Sequence, residues 1–246
     1  MKKIIFLIMA VIAVFIAACG SPSNSSDPKP IDYSVFVFDE TTNTITGYTG
    51  SGGNVIIPAA INEVPVLILD DSAFFCKSLT GVTIPNGVLT IQEAAFGQND
   101  LTNVTIPNSV THIMEDAFIM NSLKSVTIGN SVTYIDRYAF SRNDLTSVTI
   151  PSNVTNIVQY AFLDNPLTSI TIQGNNVNIG AYAFRQISSG RDNLITKVTI
   201  GANATLGATP DEPIGEGFED AYNTTYSKAA GTYTRPNTTS TTWTKD

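Results

Sequence analysis

Leu101-Thr102-Asn103-Val104-Thr105-Ile106-Pro107-Asn108-Ser109-Val110-Thr111-His112-Ile113-Met114-Glu115-Asp116-Ala117-Phe118 decides the fold, because its pattern returns along the chain at a fixed step. Ala-Phe pairs stand at Ala73-Phe74, Ala95-Phe96, Ala117-Phe118, Ala139-Phe140, Ala161-Phe162 and Ala183-Phe184, each 22 residues after the last. The triplets Val82-Thr83-Ile84, Val104-Thr105-Ile106, Val126-Thr127-Ile128, Val148-Thr149-Ile150 and Ile170-Thr171-Ile172 keep the same step. A sixth, Val198-Thr199-Ile200, comes 28 residues on, after six extra residues at Ser188-Ser189-Gly190-Arg191-Asp192-Asn193. Self-similarity at such a period marks a solenoid, in which each unit buries its apolar face only against its neighbours.

Within a unit, Leu101, Val104 and Ile106 have the spacing L-x-x-L-x-L. Side chains alternate along a strand, so Val104 and Ile106 point inward and Thr105 outward. Pro107 lacks the donor that a sheet ladder needs and ends the strand. Val110 and Ile113 then return to the core from the opposite side, and Phe118 fills the corner where the chain turns back. Asn99, Asn121, Asn143 and Asn165 form a further column. A buried amide needs partners, so each is expected to satisfy backbone groups of its own coil and the next. Roughly seven coils stacked ~4.7–4.9 Å apart predict a rod of roughly 35 Å, with a parallel sheet on one face.

The pattern A-F-x-x-N-x-L-T-x-V-T-I-P-x-x-V-T-x-I resembles the BspA-type leucine-rich repeat, a family of surface proteins from host-associated bacteria and some protists. The resemblance covers about residues 67–200 directly and implies a mostly-β, right-handed leucine-rich-repeat solenoid. Tyr33 to Pro58, with Thr46-Gly47-Tyr48-Thr49-Gly50, resembles the family's entry coil. Gly231-Thr232-Tyr233-Thr234-Arg235-Pro236, running to Trp243, resembles the hairpin that follows such arrays. Caps are needed because an open solenoid end exposes both core and strand edge. Tyr222, Tyr226, Tyr233 and Trp243 supply the aromatic mass for one.

The first residues read as an address. Lys2 and Lys3 precede fifteen apolar residues from Ile4 to Ala18. As a helix that run spans ~22 Å, short of the ~30 Å hydrocarbon core, so it reads as a secretory signal rather than a membrane span. Ile16-Ala17-Ala18-Cys19-Gly20 resembles a bacterial lipobox, with Ile16 where the usual motif has Leu. That resemblance implies that Cys19 is the lipidated first residue of the mature chain, which is then anchored to the outer membrane or cell surface. Ser21 to Pro30 is a Ser/Pro tether of the kind that holds a domain off a bilayer. The expected organisation is a signal peptide over 1–18, a tether over 19–30, an N-terminal cap coil over 31–66, the repeat array over 67–200 and a C-terminal cap over 201–246.

Composition narrows the function. Hydrophobic residues make up 43% and charged residues 14%, which favours a packed core over disorder. The formal net charge of −8 becomes two units more negative when Lys2 and Lys3 leave with the signal, so the chain carries no electrostatic footprint for nucleic acid. Cys76 is the one cysteine besides Cys19, so packing rather than a disulfide framework must hold the fold.

Catalytic chemistry finds little support. His112, the only histidine, shares a solvent-facing column with Thr90, Tyr134, Asn156 and Asn178, and a catalytic role would need a nucleophile or acid in reach where the neighbouring coils offer mainly Thr and Tyr. Cys76 lacks a paired base. Asp70-Asp71 and Glu115-Asp116 supply too few oxygens on one coil for calcium. Metal clusters, phosphate loops and a Ser/His/Asp set are missing from the sequence, so a non-enzymatic protein without metal or cofactor is expected.

Two surfaces are candidates for recognition. The first is a hydroxyl ribbon on the sheet face: Thr83, Thr105, Thr127, Thr149, Thr171 and Thr199, beside Gly81, Asn103, Ser125, Ser147, Ser169 and Lys197. Threonine there also simply suits a strand. The second is a ladder of Tyr138, Tyr160 and Tyr182, with Tyr134 nearby. Tyrosine is favoured at interfaces, although stacking along a solenoid is the plainer reading. Charge sorts along the rod: residues 60–120 hold seven acids and Lys77, whereas residues 121–200 hold six bases and four acids. The expected protein is a monomeric surface lipoprotein that binds an extracellular protein or glycan, in the adhesion to host or other cells that the family resemblance implies. The alternative is a periplasm-facing structural or assembly lipoprotein.

Overall fold

The computed structural model describes residues 31–187, 194–207, 213, 214, 218, 221–225 and 227–246. The expected signal, Cys19, the tether, the six-residue insert and Tyr226 lie outside the described residues.

The chain winds as a mostly-β solenoid with parallel ladders on two sides of one core. The side read from the Val-Thr-Ile triplets carries two parallel sheets, Asn103–Thr105 paired with Ser125–Thr127, and Ser147–Ile150, Ser169–Ile172 and Lys197–Ile200 paired in succession. Each pairing is in register by one repeat, so Thr105 faces Thr127 and Thr149 faces Thr171. Val104 and Ile106 are buried and Thr105 is exposed, the alternation expected of the pleat.

A second parallel ladder, on the opposite side, was not evident in the sequence. It takes only two residues from each coil: Ile68–Leu69, Thr90–Ile91, His112–Ile113, Tyr134–Ile135, Asn156–Ile157, Asn178–Ile179 and Thr205–Leu206. Two residues hold a single alternation, too little to stand out as a strand pattern. One member of each pair still points inward, and Leu69, Ile91, Ile113, Ile135, Ile157 and Ile179 are all buried.

Between the ladders the repeat phenylalanines form a continuous stack. Centroids of Phe74, Phe96, Phe118, Phe140, Phe162 and Phe184 are 5.0–5.3 Å apart with planes within 15° of parallel. That spacing follows the rise of the sheet ladders. Each buried ring contributes about 1.5–3 kcal/mol by leaving water. The alanine before each phenylalanine has at most 2% of its surface exposed, which leaves no room for a larger side chain.

The asparagine column is buried, with a direction opposite to the one expected. Each side chain bonds its own coil and the preceding coil, not the next. Asn121 Oδ1 accepts the Leu101 N–H at 3.1 Å, and its Nδ2 donates to Phe96 O at 2.9 Å and Phe118 O at 3.2 Å. Asn99, Asn143 and Asn165 repeat the arrangement. The reason is geometric: the asparagine follows the turn, and the neighbouring turn within reach is that of the coil already passed. Ile187 stands where the next asparagine would fall, and there the Leu167 N–H instead takes Asn165 O at 2.8 Å.

The turn itself depends on left-handed backbone. Ser72, Ala94, Asp116, Tyr138, Tyr160 and Tyr182 have φ between 53° and 67°, and Cys76, Gln98, Met120, Arg142 and Asp164 between 52° and 58°. A side chain there costs roughly 1–2 kcal/mol, and β-branching makes it worse. Neither column contains Val, Ile or Thr.

Both ends of the array are covered. Phe36–Asp39 and Thr44–Tyr48 pair antiparallel, and the Tyr48 ring lies 5.3 Å from Phe74 at the end of the phenylalanine stack. At the other end, Gly231–Thr234 pairs antiparallel with Lys197–Ile200 and with Thr244–Lys245. Phe218, Tyr222, Tyr233 and Trp243 form one edge-to-face and stacked cluster there. Tyr222 donates its hydroxyl to Gly201 O at 2.7 Å, and the buried Arg235 donates Nε to Ile195 O at 2.7 Å with its guanidinium over Trp243.

Asn121→Ala should cost about 3 kcal/mol, since it strands buried backbone groups of two coils. Ser152→Ala, at an exposed position, should cost under about 0.5 kcal/mol. Urea denaturation of both variants checks this. At the left-handed column, Met120→Val should lower stability by about 1 kcal/mol or more, while Met120→Gly should stay close to the parent. Equal midpoints for Val and Gly would refute the strain assignment.

Candidate functional site: a hydroxyl ribbon and a turn-face groove

The ribbon residues fall where the triplet spacing puts them, on the outer side of the Val-Thr-Ile ladder. Thr83, Thr105, Thr127, Thr149, Ser125 and Ser147 are exposed, whereas Ser169 and Thr171 are half-buried. Thr199 is taken up by the cap, with its hydroxyl 3.0 Å from that of Thr232. The open ribbon therefore runs across the coils from Thr83 to Thr149.

Elsewhere threonine hydroxyls have structural work. Thr111, Thr133 and Thr155 donate to the carbonyls of Leu89, Thr111 and Thr133 on the preceding coils at 3.2–3.3 Å, and Thr168 donates to Thr146 O at 3.1 Å. Among the described residues, the hydroxyls of Thr83, Thr105, Thr127 and Thr149 make no such bond. Strand propensity explains their presence but leaves those hydroxyls unspent.

The tyrosines lie elsewhere, in the turn after the two-residue ladder. Tyr138 and Tyr160 stack at 4.9 Å and Tyr160 and Tyr182 at 5.5 Å, all three half-buried. Ring faces are turned to one another, so the ladder offers mostly edges. Arg137 lies 5.4 Å from the Tyr138 centroid and 5.7 Å from that of Tyr160, and Arg185 lies 5.6 Å from that of Tyr182. Beside the ladder opens a groove of about 410 Å³ bordered by Asp116, Tyr138, Tyr160, Ser141, Arg142 and Leu163. The groove was not foreseen, although a small residue at Ser141 between Ile119 and Leu163 of the same column was a visible signal.

Other sequence candidates stay apart. His112 is exposed, with Nδ1 2.9 Å from the Thr111 hydroxyl and its ring 6.0 Å from Tyr134. Cys76 is an exposed free thiol. Among the described residues no three His, Cys, Asp or Glu side chains gather to hold a metal, and no helix is long and apolar enough to cross a membrane.

The repeat that builds these surfaces matches a known family. A model of the BspA type leucine rich repeat region fits residues 68–190 with six copies. The chain belongs to that family. Solved structures to which the chain is similar include bacterial leucine-rich repeat proteins. A leucine-rich repeat protein from Bacteroides ovatus ATCC 8483 is 20% identical with a TM-score of 0.47, over 69% of this chain and 55% of that one. One from Eubacterium ventriosum ATCC 27560 is 23% identical with a TM-score of 0.43, over 65% and 39%. A leucine rich cell surface protein from Faecalibacterium prausnitzii A2-165 is 25% identical with a TM-score of 0.39, over 61% and 56%. The match thus spans less than two thirds of each of those chains. No curated protein sequence matches this one.

Within this BspA-type array the acids at the groove are under strain. Burial raises the Asp116 carboxyl above its ordinary range, Glu93 adds to that, and Arg137 pulls it part of the way back. Glu115 is raised too, first by burial and then by Asp116. A carboxyl with a raised native pKa binds its proton more tightly folded than unfolded. Its contribution to stability therefore falls as pH climbs from the unfolded value through the native one, and the full penalty holds above it. Asp116→Asn should raise the melting temperature at about pH 7, and the gain should narrow toward about pH 3. Asn also suits the left-handed φ of 58° at that position, a part of the gain that does not depend on pH. Thermal melts across that range check this; a gain that is the same at both ends would contradict the titration argument.

Proposed function

We propose that this chain is a non-enzymatic binding protein of the cell surface, held there by lipid on Cys19, which engages an extracellular protein or glycan through its hydroxyl ribbon in adhesion to host or other cells. The observation that carries this reading is the contrast between the two threonine sets. Those at 111, 133 and 155 bond the preceding coil, while those at 83, 105, 127 and 149 stand exposed with hydroxyls uncommitted. In-register pairing sets Thr105 beside Thr127, one strand spacing apart, at the centre of the ribbon. A short side chain on a rigid ladder loses little entropy on binding, and a hydroxyl both donates and accepts. The family resemblance supports the surface location and the adhesive role, and the lipobox-like segment supports the anchor.

Replacing Thr105, Thr127 and Thr149 together by Lys should abolish adhesion of protein-coated beads to epithelial or bacterial cells while leaving the melting temperature within a few degrees. Undiminished adhesion would remove the ribbon from the reading. Protease added to intact cells should digest the protein. Survival until the cells are lysed would favour the periplasm-facing alternative.

A further inference from the structure

The column one residue after each repeat phenylalanine reads Phe75, Gly97, Ile119, Ser141, Leu163 and Arg185. Two of these coils lack a large side chain, with different results. At Gly97 the neighbours have closed in: Phe75 ring carbons and Ile119 Cγ2 would stand 3.1–3.2 Å from a Cβ placed there. At Ser141 the step down between Ile119 and Leu163 forms the floor of the 410 Å³ groove. Ser141 is 1% exposed and its hydroxyl has no hydrogen-bond partner. Asp116 Oδ1, also buried at the groove, has none either. A buried polar atom without a partner costs about 1–3 kcal/mol, so two that border one groove call for an explanation.

We propose that this groove is a saccharide subsite that takes one neutral pyranose unit of a glycan. It relies on the general reading of the chain as a binding protein but not on the hydroxyl ribbon. The lining selects the guest. Asp116 accepts protons, Arg142 donates them and Ser141 does either, so the groove presents both signs of charge within one small space. That disfavours a cation or an anion and suits a ring that carries a donor and an acceptor on successive carbons. Ile119, Leu163 and Ile187 supply an apolar wall for its C–H groups, beside the edges of Tyr138 and Tyr160. Asp164 Oδ1 accepts the Ile187 N–H at 2.8 Å, which holds that wall in place. The volume lies at the small end of ligand pockets, ~300–1,000 Å³, which fits a single sugar ring rather than a chain. Burial and Glu93 already disfavour the bare Asp116 carboxylate, so a hydroxyl donor arriving there meets an unsatisfied acceptor.

Saturation-transfer NMR on the full chain tests this. The probes are the methyl glycosides of glucose, galactose, mannose and N-acetylglucosamine, with butylammonium and methylguanidinium as cations. At least one glycoside should give signal, and its affinity should fall about tenfold or more in Ser141→Leu, which continues the column of Ile119 and Leu163. Ser141→Ala, which keeps the shape and removes the unpartnered hydroxyl, should weaken binding while leaving the melting temperature no lower than the parent's. Asp116→Asn should weaken binding while raising the melting temperature, a divergence that a purely structural role does not produce. The Thr105, Thr127 and Thr149 lysine variant should keep the full signal. Binding by the cations alone, no glycoside signal at all, or a glycoside signal unaffected by all three groove variants would overturn the proposal. A signal lost only in the lysine variant would assign the sugar to the ribbon instead.

Discussion

A buried amide that reaches back to the coil before it is the contact on which this solenoid depends. The phenylalanine stack and the two apolar ladders supply the driving force for collapse, but oil-like contacts alone do not set which coil lies against which, or at what height. The asparagine does. Its carbonyl and amino group have fixed positions, and their partners are main-chain groups that have no water to turn to. Satisfying them holds adjacent turns at the distance of a sheet ladder, and the rings, strands and left-handed turn residues follow that step.

Such regularity separates what the fold needs from what a partner can read. Leu, Val, Ile, Ala, Phe and Asn recur because the core demands the same shape on every coil. Residues that face outward, or lie in the turn, are released from that demand. Both candidate surfaces arise in this way: the threonine ribbon from strand alternation, and the groove from one small residue in a column of large ones. The acids beside the groove show the cost of the freedom, since Asp116 is held in a left-handed backbone and a partly dry setting at once.

Reading the sequence recovered the parts with long periodic signals. The Val-Thr-Ile triplets alternate over enough residues to assign inside and outside, and Val104, Thr105 and Ile106 are placed as that alternation requires. The second ladder was hidden because Thr90-Ile91 or Asn156-Ile157 is too short to show a period. The left-handed columns were visible only as an omission, the lack of β-branched residues from Ser72 to Tyr182 at one step and from Cys76 to Asp164 at the other. The direction of the asparagine bonds could not be read at all, because a spacing of 22 is the same forwards and backwards. The groove was half visible: Ser141 stood out by size, but whether its neighbours would lean in, as they do at Gly97, depends on packing that spacing does not encode.

The backward reach of the asparagines gives the rod a polarity in time as well as in space. A coil that has just emerged during synthesis has its hydrophobic residues in hand, yet the main-chain groups of its turn wait for a side chain that has still to follow. Each turn is therefore completed by its successor, and the growing end is always the unfinished one. An array built this way can be lengthened by copying one unit, since every added copy completes the turn before it, but it needs a different kind of ending. Here the asparagine column stops at Ile187, and after one more coil through Val198-Thr199-Ile200 and Thr205–Leu206 the chain changes from repetition to an aromatic cluster and a reversed strand, which close that coil from outside the rule that built the others.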